Sequence, residues 1–176
     1  MSKVTMTNAV PERDAPLIHS WATEPRGRFW GMGDHTVEEV QEVYEYIDTL
    51  TTHHAYLVRL GGEPVALFQT YEPAADPVGE FYPVRPGDFG VHLMIAPTDL
   101  QSAGFTGALL RVLAECAFAD PEVKRIVVEP DARNDKAIAR FERFGFVAGE
   151  LIDLPHKTAR LAFLSRETWE AAGFAS

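Results

Sequence analysis

The sequence predicts an α/β protein whose sheet carries helices on both faces. Three observations predict it. An apolar strand-like segment, Val91–Ala96, turns through a run of small residues, Gln101–Gly107, into a helix-like segment, Ala108–Phe118. Next comes Arg125–Val128, an apolar run with almost no alternation, which suits a strand covered on both faces, and then the helical pattern Ala132–Phe144. Two strand-like runs, His54–Leu60 and Pro64–Tyr71, are joined by Gly61-Gly62-Glu63, a hairpin signal.

The remaining elements follow in order. Thr5–Val10 reads as a first strand, and Asp14–Trp21 as a short helix with Pro11 and Asp14 near its start. Pro25–Asp34, rich in Gly, Arg and aromatics, reads as a loop. Thr36 is placed to cap the next helix, with Glu39 three residues on completing a capping box. That helix sets Val37, Val40, Val43, Tyr44 and Ile47 on one face. Glu72–Pro86 holds several prolines and reads as a loop, and Asp88–Ile95 as the central strand. The apolar face of Ala108–Phe118 takes Leu109, Leu110, Leu113 and Cys116/Ala117. Phe146–Leu151 and Ala159–Leu164 complete the sheet, and Ser165 caps a terminal helical turn carrying Thr168 and Trp169.

The global numbers bound the function. A chain of 176 residues with 46% hydrophobic residues fits one folded domain, residues 1–176. Its net charge of −10 opposes nucleic-acid binding, which needs a basic footprint. No apolar run is long enough to span a bilayer, and the N-terminus lacks a secretory pattern, so a cytoplasmic protein with no membrane partner is expected. The single cysteine, Cys116, excludes an internal disulfide and a cysteine-rich zinc site, and its helical apolar setting reads as buried. His53 and His54 alternate to opposite faces of a strand, and His19, His35 and His156 form no ligand set, so no metal is implied. Oligomeric state is not encoded in any pattern found here.

A strand that turns through small residues into a helix presents backbone N–H groups at the helix start, where they bind phosphate together with the helix dipole. Gln101-x-x-Gly104-x-Thr106, followed by Gly107 and Ala108-Leu109-Leu110, resembles the pyrophosphate loop of the GNAT acyltransferases, Arg/Gln-x-x-Gly-x-Gly/Ala. Thr106 departs from the small final residue, and Gly107 stands beside it. A second motif is closer to the family: Asn134-x-x-Ala137-Ile138, then Phe141, then Phe144-Gly145-Phe146. The resemblance is sharp over Asp88–Phe146. It implies a mixed, mostly antiparallel sheet with a splayed pair of strands. It also implies that acetyl-CoA or another acyl-CoA is the cosubstrate. Gln101, Ser102, Ala103, Gly104, Phe105, Thr106, Gly107 and Asn134 would then contact it, and the main chain of Met94 and Ile95 would pair with its pantetheine arm.

Further residues are similar to one branch, the siderophore-biosynthetic hydroxylysine N-acyltransferases. They are Asp88-Phe89-Gly90-Val91-His92 with its Gly-x-His strand, the loop Arg28-Phe29-Trp30-Gly31-Met32, Glu129-Pro130-Asp131 and Leu154-Pro155-His156-Lys157-Thr158-Ala159. The resemblance implies a small-molecule amine or hydroxylamine acceptor lined by Trp30, His92 and Asp131. The aminoglycoside N-acetyltransferases share the tryptophan loop and lack the clear Gly-x-His strand.

Acyl transfer needs a neutral nucleophile, support for an oxyanion and a proton for the leaving thiolate. A lysine-type amine is nearly all cationic at neutral pH, whereas a hydroxylamine is already neutral and needs only a modest base. Glu129, at the carboxyl end of its strand, is a candidate base or orienting group, and Asp131 is an alternative. His92 suits either a base or a hydrogen-bonding partner of the acceptor. Phe141 stands where many GNAT proteins place a tyrosine, so that route for protonating the thiolate is absent. The readings are a lysine-like hydroxylamine acyltransferase, another amine acetyltransferase, and a non-catalytic acyl-CoA-binding domain.

Overall fold

The computed structural model describes residues 3–97 and 104–173; Gln101, Ser102 and Ala103 lie outside the described residues. Within them the order is β1 (Val4–Asn8), α1 (Pro11–Ala22), α2 (Val37–Asp48), β2 (His53–Leu60), β3 (Glu63–Tyr71), β4 (Asp88–Ile95), α3 (Phe105–Phe118), β5 (Arg125–Val128), α4 (Asp135–Phe144), β6 (Val147–Leu154), β7 (Lys157–Ser165) and α5 (Arg166–Ala171). This is the mixed, mostly antiparallel α/β fold expected. β1–β2, β5–β7 and β6–β7 pair antiparallel, and β4–β5 pair parallel. Two compact units divide the chain, and the division falls within β4, after Val91.

In the first unit the strand order is β1-β2-β3-β4. Helix α1 begins at Pro11, earlier than the sequence suggests, because proline's missing N–H and fixed φ suit the first helical position. The Asp14 carboxylate turns back to accept the Val10 N–H at 2.7 Å. Helix α2 has the expected capping box: Thr36 Oγ1 accepts the Glu39 N–H, and Glu39 accepts the Thr36 N–H at 2.8 Å. Val40 and Tyr44 are buried and Val37, Val43 and Ile47 partly so, packing with Ile18 and Trp21 of α1, Leu57, Leu67 and Met94. The β2–β3 turn uses Gly61 (φ 59°) and Gly62 (φ 91°), both in the left-handed region that a two-residue hairpin requires. Pro25–Trp30, expected as loop, is a 3-10 helix closed by Gly31 at φ 86°.

In the second unit the order is β4-β5-β7-β6. The β4–β5 register runs from Asp88↔Arg125 to Gly90↔Val127, while β4 itself continues to Ile95. Val127, Ala159, Leu161, Ile152 and Leu154 pack with Tyr71, at the end of β3, and with Val78 from the segment after it, which forms two short 3-10 turns. Trp169 of α5 stacks on Phe118 of α3 and Phe144 of α4 at 5.7 and 6.2 Å. Arg125 holds Asp88 through two hydrogen bonds of 2.7 and 2.8 Å and lies 4.2 Å over the Phe163 ring.

Three expectations are corrected. Cys116 is exposed: the buried arc of α3 runs from Leu109 through Leu113, Ala117, Leu110 and Ala114 to Phe118, and at about 100° per residue Cys116 falls about 20° beyond its edge. Helix α3 starts at Phe105, so Phe105, Thr106 and Gly107 form its first turn rather than a loop. Helix α4 starts at Asp135 rather than Ala132, because Asp131 Oδ1 takes the Arg133 N–H and Asn134 Oδ1 takes the Ala137 N–H, which together make a turn and a cap.

Candidate functional site

In the first unit, His92 and Met94 share one face of β4, as alternation requires. Met94 is buried in the core beside α1 and α2, so its side chain is structural, while Ile95 is half-buried. His92 meets the Trp30 ring edge-on, with centroids 6.0 Å apart and an interplanar angle of 77°. The structure therefore brings together two of the residues singled out for the acceptor. Behind them lies a pair that sequence reasoning missed. Tyr44, only 1% exposed, accepts a hydrogen bond from Gln69 Nε2 at 2.9 Å and a second from Trp30. Burial pushes the Tyr44 hydroxyl far up, so it stays protonated and serves as a fixed acceptor for the indole N–H. Tyr44 of α2 thus anchors the Trp30 indole, which bounds one side of the His92 ring.

In the second unit, Gly104 opens α3 with φ 85°, a conformation that glycine adopts without steric cost. The first intrahelical bond is Ala108 N–H to Gly104 O, so the N–H groups of Phe105, Thr106 and Gly107 stand ahead of it. Among the described residues, no side chain caps them, the first turn carries no acidic residue, and a Cβ on Gly104 or Gly107 would touch nothing within 4 Å. An open, uncapped start to a fourteen-residue helix fits a phosphate. Gly107 is ordinary helix, so only Gly104 needs to be glycine for its backbone.

Glu129 follows β5 and is 4% exposed, not the solvated strand-end carboxylate that its position suggests. Its Oε1 accepts the Tyr71 hydroxyl at 3.0 Å, and its Oε2 pairs with Lys157 Nζ at 2.7 Å. Burial, reinforced by the Glu129 charge, pushes the Tyr71 hydroxyl well above its ordinary value, so it stays protonated and donates to the carboxylate. Asp131, 5% exposed, accepts from Arg133 Nε and a terminal nitrogen at 3.0 and 2.9 Å. That hydrogen-bonded guanidinium holds its carboxyl below the usual range. Glu129 and Asp131 therefore have separate cationic partners. Phe141 packs on Phe146 at 5.0 Å and brings no proton donor. Tyr71 and Lys157 left no local signal, because each meets Glu129 only through the sheet.

Among the described residues, no group of three or more His, Cys, Asp or Glu is placed to hold a metal ion, and no helix is long and apolar enough to cross a membrane.

Comparison with known proteins gives the context. The model of the acetyltransferase (GNAT) domain matches residues 10–154. The chain is 29% identical over 162 residues to the N(6)-hydroxylysine O-acetyltransferase of Escherichia coli, covering 90% of this chain and 50% of that protein. It thus spans half the length of that relative. It is 26% identical over 166 residues to the aminoglycoside N(6')-acetyltransferase type 1 of Klebsiella pneumoniae, covering 90% of this chain and 82% of that one. The crystal structure of aminoglycoside acetyltransferase AAC(6')-Ib in complex with coenzyme A superposes with a TM-score of 0.83 at 26% identity, over 97% of this chain and 99% of that one.

Proposed function

Because the chain belongs to the GNAT acetyltransferase family, we propose that it is an acyl-CoA-dependent N-acyltransferase acting on the hydroxylamino or amino group of a lysine-like molecule. The observation that carries this reading is the α3 start at Gly104, with left-handed backbone and no side-chain cap among the described residues. Acyl-CoA supplies the activated thioester. The backbone N–H groups of Phe105, Thr106 and Gly107 bind its pyrophosphate, and Gln101, Ser102, Ala103 and Asn134 belong to the same proposed contact set.

In the transfer, the acceptor nitrogen bonds to the acyl carbon, the carbon–sulfur bond breaks, the nitrogen loses a proton and the thiolate gains one. His92 is the proposed partner of the acceptor's nucleophilic group, with the Trp30 ring against it. Glu129 is the proposed base or orienting carboxylate for the acceptor, with Asp131 as the alternative. A hydroxylamine is neutral at physiological pH and needs no strong base. The relative named for hydroxylysine supports the acceptor class.

A second reading, aminoglycoside acetylation, is favoured by the fuller coverage of the Klebsiella relative and by the coenzyme A complex that superposes on this chain. One experiment separates them: coenzyme A release is followed with N6-hydroxylysine, lysine and kanamycin at one pH. The proposal expects hydroxylysine to be turned over fastest. Faster turnover of kanamycin overturns the acceptor assignment, and no turnover with any amine leaves a non-catalytic acyl-CoA-binding domain.

A further inference from the structure

Glu129 is held by three strands at once. Tyr71 ends β3, Glu129 follows β5 and Lys157 opens β7. The Tyr71 hydroxyl and the Lys157 ammonium take one carboxylate oxygen each, at 3.0 and 2.7 Å, with side-chain exposures of 14% for Lys157 and 3% for Glu129. The turn that carries Glu129 is fixed to β7 by its backbone: Arg160 N–H donates to Pro130 O at 2.9 Å, and Ala132 N–H donates to Thr158 O at 2.8 Å. The Lys157 side chain is therefore not what places the turn. Its ammonium supplies the charge that makes an ionised carboxylate tolerable at a buried position.

We propose that Lys157 is a positioning residue for acyl transfer: its ammonium keeps the Glu129 carboxylate ionised and aimed throughout the working pH range. The inference rests on the acyltransferase reading above. The groups facing this cluster are consistent with it. Asp131, whose own partner is Arg133, senses Lys157 through space, and Asp76 and Tyr82 act on Tyr71. Lys157 is a cation in direct contact with Glu129, and the Arg133 guanidinium pairs with Asp131. Without the Lys157 charge, a buried carboxylate takes up a proton at higher pH, and Glu129 becomes a neutral acid over part of the range in which the enzyme works.

The test uses the full chain and the variants Lys157→Met, Lys157→Arg and Tyr71→Phe. Glutamate carboxyls are labelled with carbon-13 and titrated by NMR, with the Glu129 signal assigned by its loss in Glu129→Gln. The pH profile of kcat is recorded in parallel with acetyl-CoA and N6-hydroxylysine or kanamycin. Lys157→Met is expected to move the Glu129 titration and the acid limb of kcat upward together. Its kcat should fall about 10- to 100-fold at mildly acidic pH and recover toward the wild-type value at alkaline pH. Structural damage does not reverse with pH. Lys157→Arg should keep both profiles near wild type, and Tyr71→Phe should shift the titration in the same direction by less. Should Lys157→Met not fold, the Arg and Phe variants carry the test through the same two readouts. A Glu129 titration that stays in place in the folded variants overturns the inference. A titration that moves while kcat keeps its wild-type profile overturns it too, by removing Glu129 from the reaction. A wild-type protein that acylates neither amine sinks the acyltransferase reading instead, and the NMR titration still reports on the Lys157–Glu129 coupling.

Discussion

The ring of Tyr71 occupies the space that a side chain at Gly90 would need. The glycine of the Gly-x-His strand therefore has a packing reason. It lets the tyrosine lie against β4, from where its hydroxyl reaches Glu129. Gly90→Ala should displace the ring and destabilise the protein by about 1–3 kcal/mol, the usual cost of overpacking a filled core. Denaturant unfolding of the variant checks this, and wild-type stability would contradict it.

Gly104→Val should weaken acetyl-CoA binding at least tenfold by calorimetry. Valine at φ 85° is strained by about 1–3 kcal/mol, and its branches stand where phosphate must approach the N–H groups of α3. Gly107→Ala is the control, since position 107 is ordinary helix with open space around it. It should bind the cofactor like wild type. Equal affinities for wild type and Gly104→Val would remove this helix start from the site.

His92→Ala should lower kcat by up to about 10²-fold, the lower end of what a positioned acid or base contributes. Affinity for acetyl-CoA should stay within about twofold of wild type, because His92 is not in the turn proposed to bind phosphate. Tyr44→Phe should act through Trp30: it removes the acceptor of the indole and Gln69 hydrogen bonds, raising the acceptor KM more than it lowers kcat. Steady-state kinetics on both variants provides the comparison, and an unchanged KM in Tyr44→Phe counts against a role for the Trp30 orientation.

Asp88→Asn should destabilise the protein by about 1–3 kcal/mol near neutral pH, the cost of weakening two charge-assisted hydrogen bonds from the partly buried Arg125. Burial alone pushes the Asp88 carboxyl up, but the Arg125 guanidinium, the Arg85 N–H and the Tyr82 hydroxyl outweigh it and hold the group below 3.8. A carboxyl depressed on folding contributes stability that is fully present above its unfolded value and is lost as pH falls through the folded one. The gap between wild type and Asp88→Asn should therefore be constant above about pH 5 and shrink below about pH 4. Unfolding curves at a series of pH values test it, and a gap that persists undiminished at pH 2 rules the linkage out.

What could be read from the sequence was local. The Thr36–Glu39 box and the apolar face of α2 depend on residues three and four apart, and both stand as expected. The bounds of β4 and β5 match because an apolar run closed by turn residues marks its own ends. The start of α3 was placed too late because two glycines were read as one loop, although only Gly104 needs left-handed backbone. The environment of Glu129 was invisible for a different reason. Its partners come from β3 and β7, and no periodicity along β5 records what lies beside its end. The same holds for Tyr44, read as a core residue of α2, whose hydroxyl finds Gln69 on β3.

Cys116 is the sole thiol in the chain and sits on the outside of α3. Any colorimetric measurement of liberated coenzyme A therefore carries a background of one equivalent per protein molecule, no more. Partial desolvation and the neighbouring Glu115 raise this thiol above its ordinary value, so it holds little thiolate at neutral pH and reacts sluggishly with disulfide reagents. Pre-blocking it with a maleimide silences the background and, by the same reaction, attaches one reporter dye per molecule at a known address on the helix whose first turn is the proposed nucleotide anchor.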